Sequence, residues 1–554
     1  MVALAGFAVA APAATKVVAF GWEFSRKSVR DLAAVADSLD KAPIDGIGVY
    51  LNEPQADGSI LSTHNIMREA WRRETLAPLV PLARDLTAHR SMRESFIGTL
   101  RAPSGSRIEW ADDAGWARLA SNMATAAWFA RDGGFCGISM DPEDYPGTAQ
   151  FRRKPGDPPF NDLCAIARQR GREVFSGVFA EYPEIRILSF WLLSIGQRGF
   201  GMGDLCADAR ENGDLWPAFV NGILDAMPPE ASLIDGCEHS YRYESERGDF
   251  FRAGDAIRRK LSALVVPENR AKYAAQVGAS FGIYLDMFTN PEGSSWFAGP
   301  VDGSRLRHLE RNLHQAAEAA DGYVWLWGEK HCWGNWGPKG PDQSRGISAE
   351  SWEQALPGLE DIILSVKDPI AYAAKREAIL RAEGRWTSLN ANPRCTADMA
   401  QEQQADNSKG AAFFPFEPWQ NKKARQGRLW LDDTCGKDDS SCLAAEGCEN
   451  GAFSVNVTQP LLAGDRLLVR ASMRGDGGGA QFCWKRDGGA WDWDVLPPVR
   501  LRFGEPDANG WRHGEAIVRV PEGAAGAGLI LSVRQNPGEI CRFDNVEIHA
   551  LDHR

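Results

Sequence analysis

Over the first two thirds of the chain, short apolar runs alternate with longer amphipathic stretches. The last third holds only short alternating runs. The apolar runs lie at 16–24, 44–52, 95–101, 135–141, 185–193, 232–238, 276–287 and 322–329. Most are apolar throughout, which is how a parallel strand covered on both faces reads. Helical spacing appears between them, as in Val29, Leu32, Val35 and Leu39, and again in Trp116, Leu119, Met123 and Ala127. This β-then-α order predicts a parallel sheet with helices packed outside it. Eight such units in about 350 residues predict an α/β fold, a closed (β/α)8 TIM barrel. An open doubly wound sheet would call for a glycine-rich phosphate turn after the first strand, and none is present.

The helical period runs on to residue 382 and stops. Residues 385–410 are polar and rich in Asn and Gln, a linker or the first loop of another domain. Beyond 411 the runs 427–431, 452–457, 466–473, 516–520 and 528–533 are separated by Gly, Asp and Pro turns, which predicts an all-β sandwich. The expected organisation is a signal-peptide remnant at 1–14, a barrel at 15–384 and a β-sandwich at 385–554.

Composition narrows the partners. A net charge of −12 argues against nucleic acid and anionic membrane surfaces, where clustered Lys and Arg are needed, and is compatible with a glycan. The 20 Trp offer flat apolar rings for ligand stacking as well as core. Residues 2–14 form a short apolar run ending in small residues, without a basic start, and predict a secreted or periplasmic protein. No run is long enough to span a membrane. Six of the 11 cysteines (Cys395, Cys435, Cys442, Cys448, Cys483 and Cys541) fall after residue 340, which predicts a disulfide-bearing C-terminal domain. Their spacing is not that of a zinc site. Nothing in the pattern points to a protein partner.

In a barrel of this kind the chemistry comes from the C-terminal ends of the strands. The fourth run ends in Met140-Asp141-Pro142-Glu143-Asp144-Tyr145, with Asp141 and Glu143 at the same parity. The sixth ends in Asp235-Gly236-Cys237-Glu238-His239, and the seventh in Tyr284-Leu285-Asp286. In the eighth, Trp325, Trp327 and Glu329 share parity, and the first contributes Trp22 and Glu23. Carboxylates beside aromatic rings at several strand ends are what glycosidic cleavage requires. One acid protonates the leaving oxygen, a second carboxylate attacks or activates water, and flat rings hold sugar faces. Glu143, Glu238 and Asp141 are the catalytic candidates. Trp22, Glu23, Tyr145, His239, Asp286, Trp325, Trp327 and Glu329 are the substrate-binding ones. Glu23 equally fits a buried ion-pair partner, and Asp286 a cap on the following segment. The chemistry calls for no cofactor.

The run Gly134-Phe135-Cys136-Gly137-Ile138-Ser139-Met140-Asp141-Pro142-Glu143-Asp144-Tyr145-Pro146 resembles the fourth-strand motif of chitinase-type, family 18, glycoside hydrolases. That resemblance implies Glu143 as proton donor and Asp141 as the group orienting a substrate acetamido. Cys136, Ser139 and Pro142 stand where that family has two Asp and a Trp. The layout also resembles α-galactosidase-like barrels, which implies Asp141 as nucleophile and Glu238 as proton donor. The C-terminal third resembles jelly-roll carbohydrate-binding modules, on Pro418-Trp419-Gln420 with Leu429-Trp430, and on Cys541-Arg542-Phe543-Asp544-Asn545-Val546. That resemblance implies a structural calcium near Asp544 and sugar stacking by Trp419, Trp484, Trp491 and Trp493. The rival readings are a non-catalytic glycan binder on a decayed barrel, and a lyase or esterase acting on glycans with Lys330, Arg101 or Arg242 as a basic subsite.

Overall fold

A computed structural model describes residues 15–101, 107–143, 149–196, 203–338, 340–396, 415–438 and 441–552. The expected signal segment 1–14 and Tyr145 lie outside the described residues. The chain divides into two compact units, Met1–Asp368 and Pro369–Arg554.

The first unit is a parallel β-sheet of nine segments wrapped by helices. In chain order the segments are Lys16–Gly21, Gly46–Val49, Phe96–Arg101, Gly137–Asp141, Arg186–Ser189, Ser232–Asp235, Val277–Ala279, Phe281–Tyr284 and Tyr323–Gly328. Each of the eight apolar runs therefore contains a strand, trimmed at its ends. The seventh run is broken at Ser280. Its first half pairs with the sixth strand and its second half with the eighth, and the first strand pairs in parallel with the eighth from Lys16↔Tyr323 to Gly21↔Gly328. Consecutive strands are neighbours all the way round, the order a (β/α)8 barrel requires.

Both faces of these strands are covered because the outer face meets helices and the inner face meets rings. On the helix Val29–Leu39, Val29, Leu32, Val35 and Leu39 are buried as the spacing predicts, and Ser28 with Asp31 forms a capping box at its start. The helix Asp113–Asp132 buries Trp116, Leu119, Met123 and Ala127. Inside the barrel, Phe190 stacks on Trp325 at 4.1 Å and 5°, and Phe20 meets Phe190 edge-on at 4.9 Å. Gly48 leaves the room for this packing, since a Cβ there would fall 2.0 Å from the Phe20 ring.

The second unit is a sandwich of two antiparallel sheets, one of five strands and one of six. Its core includes Phe453, Leu467, Val469, Phe482, Leu531 and Phe543. Leu467 and Val469 lie two apart on the strand Arg466–Gly475, so both turn inward from the six-stranded sheet.

The helix Pro369–Ala382 falls in this second compact unit. Its periodicity continues that of the barrel helices, but its buried side chains are tied to the end of the sandwich. Tyr372 donates to Asp552 at 3.0 Å, and Arg376 Nε donates to the Leu551 carbonyl at 2.8 Å. The described start of the segment read as a linker, 385–396, is tied to the sandwich as well: Leu389 N donates to the Ile548 carbonyl at 2.6 Å, and Asn390 bonds the main chain at Val546 and Ile548.

The expected disulfides are not formed, and all eleven cysteines are free thiols. Cys395, Cys448 and Cys541 are buried within the sandwich core, where a thiol packs as a small apolar group. On the closing strand, the Asp544 carboxylate accepts main-chain N–H groups from Lys437 and Asn545, each at 2.6 Å. Among the described residues no group of three or more His, Cys, Asp or Glu side chains is placed to hold a metal ion. No helix among them is long and apolar enough to cross a membrane.

Candidate active site

At the C-terminal ends of the barrel strands lies a pocket of about 550 Å3. Asp141 and Glu143 line it from the end of the fourth strand, Glu238 and His239 from beyond the sixth, Trp327 and Glu329 from the eighth, and Trp22 from the first. Seven of the predicted site residues are thus brought to one cavity from four strands.

Local chemistry explains how Glu238 gets there. Asp235 ends the sixth strand fully buried, and its carboxylate accepts N–H groups from Ser194 at 2.9 Å and Cys237 at 3.2 Å, with the Ser194 hydroxyl as a further donor. Cys237 turns the chain in the left-handed region at φ 43°, and Glu238 N then donates to the Phe190 carbonyl at 3.1 Å. Asp235 so ties the loops after the fifth and sixth strands together and aims Glu238 into the pocket. Burial, with the charges of Asp141 and Glu143, holds the Glu238 carboxyl well above the ordinary carboxylate range. Trp191 and Tyr241 flank it, and the His239 ring meets Trp191 edge-on at 4.3 Å.

Glu329 has the opposite setting. Its two oxygens accept from Tyr284 Oη at 2.9 Å and Trp327 Nε1 at 3.0 Å, and its own N–H donates to Asp286 at 2.8 Å. Asp286 is fully buried and does not line the pocket. Burial and the nearby Glu329 charge raise its carboxyl to about 6. It positions Glu329 rather than touching a ligand.

Two predicted contacts are structural instead. Trp325 is 0% exposed, stacked on Phe190 with its Nε1 donating to the Gly236 carbonyl at 2.8 Å, so it forms the floor beneath the pocket. Glu23 is buried and accepts N–H groups from Trp333 at 2.8 Å, Gly334 at 2.8 Å and Trp336 Nε1 at 2.7 Å. It anchors the loop that follows the eighth strand. Burial raises its carboxyl to about 7 against those hydrogen bonds. Conversely, Trp191 and Trp296 line the pocket although sequence reasoning names neither. Trp191 follows the fifth strand, so extending the strand-end rule from carboxylates to rings finds it. Trp296 sits in a loop with no periodic signal.

The sandwich carries its own cleft of about 890 Å3 across its five-stranded sheet, with Trp419, Trp491 and Trp493 among the lining residues. Trp419 and Trp493 are 55% and 54% exposed. Asp492, between Trp491 and Trp493, accepts N–H groups from Asp494 and Val495 at 3.1 and 2.9 Å, which holds that turn. The Trp491 and Trp493 rings lie 6.1 Å apart. Trp484 is buried in the core and is not available for stacking.

No protein-family model and no curated protein matches the chain. Solved structures similar to parts of it include the enzymatically active domain of Bacteriophage CBA120 tailspike protein 4, at 14% identity and TM-score 0.22, over 26% of this chain and 20% of that one. The chain thus spans about a fifth of the length of that domain. Another is TmCBM61 in complex with beta-1,4-galactotriose, at 15% identity and TM-score 0.20, over 29% of this chain and 97% of the module. The CBM22-1 xylan-binding domain from Paenibacillus barcinonensis Xyn10C is similar at 9% identity and TM-score 0.19, over 24% of this chain and 91% of that domain.

Proposed function

We propose that the chain is a glycoside hydrolase, cleaving a glycosidic bond of a poly- or oligosaccharide in the barrel pocket while the sandwich cleft holds glycan. The observation that carries this reading is the pairing of unlike carboxyl groups. Burial and the charges of Asp141 and Glu143 raise the proton affinity of Glu238, and all three share one aromatic-walled pocket. Acid-assisted sugar cleavage needs a carboxyl that holds its proton beside a second carboxylate.

Glu238 gives its proton to the leaving oxygen as the bond to the anomeric carbon breaks. Asp141 stabilises the developing positive charge as nucleophile or as base toward water, and Glu143 assists. Trp22, Trp191 and Trp327 supply flat surfaces for sugar faces. This assignment follows the α-galactosidase-like layout more closely than the chitinase-type one, because the buried, proton-holding carboxyl is Glu238 and Glu143 is only half-buried. The test is reducing-sugar release from a broad glycan panel by wild type and Asp141→Asn. Wild type should release sugar from at least one member, and the variant should lose roughly a hundredfold or more of that rate while folding normally. Glycan binding with no release by wild type from any member would overturn the hydrolase reading.

A further inference from the structure

The barrel pocket is rich in acid, yet one lining residue is a cation with no acid partner among the described residues. Asp141, Glu143, Glu238 and Glu329 share the lining with Arg242, its only Arg or Lys among the described residues. Arg242 ends the short helical turn Glu238–Arg242 that begins with the proton-holding carboxyl. Its guanidinium carbon lies 4.0 Å from the centroid of the Trp296 ring, and no described carboxylate pairs with it. The charges bearing most on Glu238 are those of Asp141 and Glu143, so Arg242 is not the counter-ion of the acid.

Its platform is fixed. The Trp296 ring meets Tyr284 at 5.4 Å and Tyr241 at 6.2 Å, both edge-on, and Asn290 donates to the Trp296 carbonyl at 2.7 Å. A guanidinium held over a ring still has N–H groups to give, and their fork matches a carboxylate or sulfate. Sugar hydroxyls find acceptors enough in Asp141, Glu143 and Glu329. An anionic sugar would be repelled by them and needs a cation to enter.

We infer that Arg242 is an anion subsite of the barrel pocket, and that the sugar bound there carries a carboxylate or sulfate group. This rests on the reading of the pocket as a glycan site. The test uses the full chain in a Glu238→Gln background, which prevents turnover, with and without Arg242→Met or Arg242→Lys. Calorimetry compares oligomers of glucuronate, galacturonate and mannuronate with their carboxyl-reduced forms, and sulfated galactan oligomers with their desulfated forms. At least one anionic oligomer should bind roughly tenfold or more tighter than its neutral counterpart. Arg242→Met should abolish that preference and Arg242→Lys should keep part of it. The pair that shows the preference tells carboxylate from sulfate. No anionic preference in any pair, or one that survives Arg242→Met, overturns the inference. Reducing-sugar assays separate the two claims. Anionic preference without release by wild type removes the hydrolase and keeps the subsite, whereas release of neutral glycans unaffected by Arg242→Met removes the subsite alone.

Discussion

Glu23 offers a sharp test of how the barrel mouth is held. Its carboxylate takes three N–H groups from one loop, at 2.7 to 2.8 Å, and is sealed from water. Burial outweighs those bonds and lifts its carboxyl from 4.5 to about 7. The folded chain therefore keeps this proton up to about pH 7, while the unfolded chain releases it near 4.5. The proton favours the folded state fully below the unfolded value, and that contribution is lost as pH rises through the folded one. Between pH 5 and pH 8 the loss comes to about 2–3 kcal/mol, at about 1.4 kcal/mol per unit. Glu23→Gln has no titrating group, so wild-type stability should fall by that amount relative to the variant over this range. Guanidinium denaturation of both proteins at the two pH values, on the transition that the substitution moves, reads it directly. Parallel pH dependence in the two proteins would mean that Glu23 does not hold its proton on folding, as would a wild type that gains stability relative to the variant as pH rises.

Other outcomes follow from the same contacts. Glu143→Gln removes one of the charges that raise the Glu238 proton affinity, so the alkaline limb of kcat/KM should move to lower pH; an unmoved limb would separate Glu143 from Glu238. Trp325→Ala empties a fully buried, stacked position and should cost about 3–5 kcal/mol in denaturation experiments, whereas a surface-like cost would mean the ring is not core. Trp419→Ala or Trp493→Ala should weaken glycan binding by the sandwich cleft roughly fivefold in calorimetry without altering barrel turnover of short substrates. Thiol titration of the unreduced, denatured protein should count 11 free cysteines, and a lower count would reveal disulfides.

Much of the barrel is legible in the sequence because its strands are buried on both faces and so appear as uninterrupted apolar runs. Asp141, Glu143, Glu238 and Glu329 are legible because a charge at the end of such a run has a meaning fixed by the fold. Depth is not legible. Trp325 and Trp327 share parity and face the same interior, but two residues along a strand is about 7 Å, enough to put one ring in the floor and the other in the pocket. Glu23 and Asp286 read as ligand contacts because their hydrogen-bond donors come from distant main chain, which no local pattern announces. The helix Pro369–Ala382 reads as part of the barrel because the helical stretch runs on without a break to residue 382, and nothing in it announces what covers it.

The proposed proton delivery from Glu238 to a departing sugar oxygen has a leaving-group signature. It is tested most directly by comparing Glu238→Gln with wild type on a cleaved native glycan and on the matching nitrophenyl glycoside, whose leaving group needs no proton. The loss should be roughly 100- to 10,000-fold on the glycan and far less on the nitrophenyl glycoside. Equal losses on both, or full activity on the glycan, would contradict it.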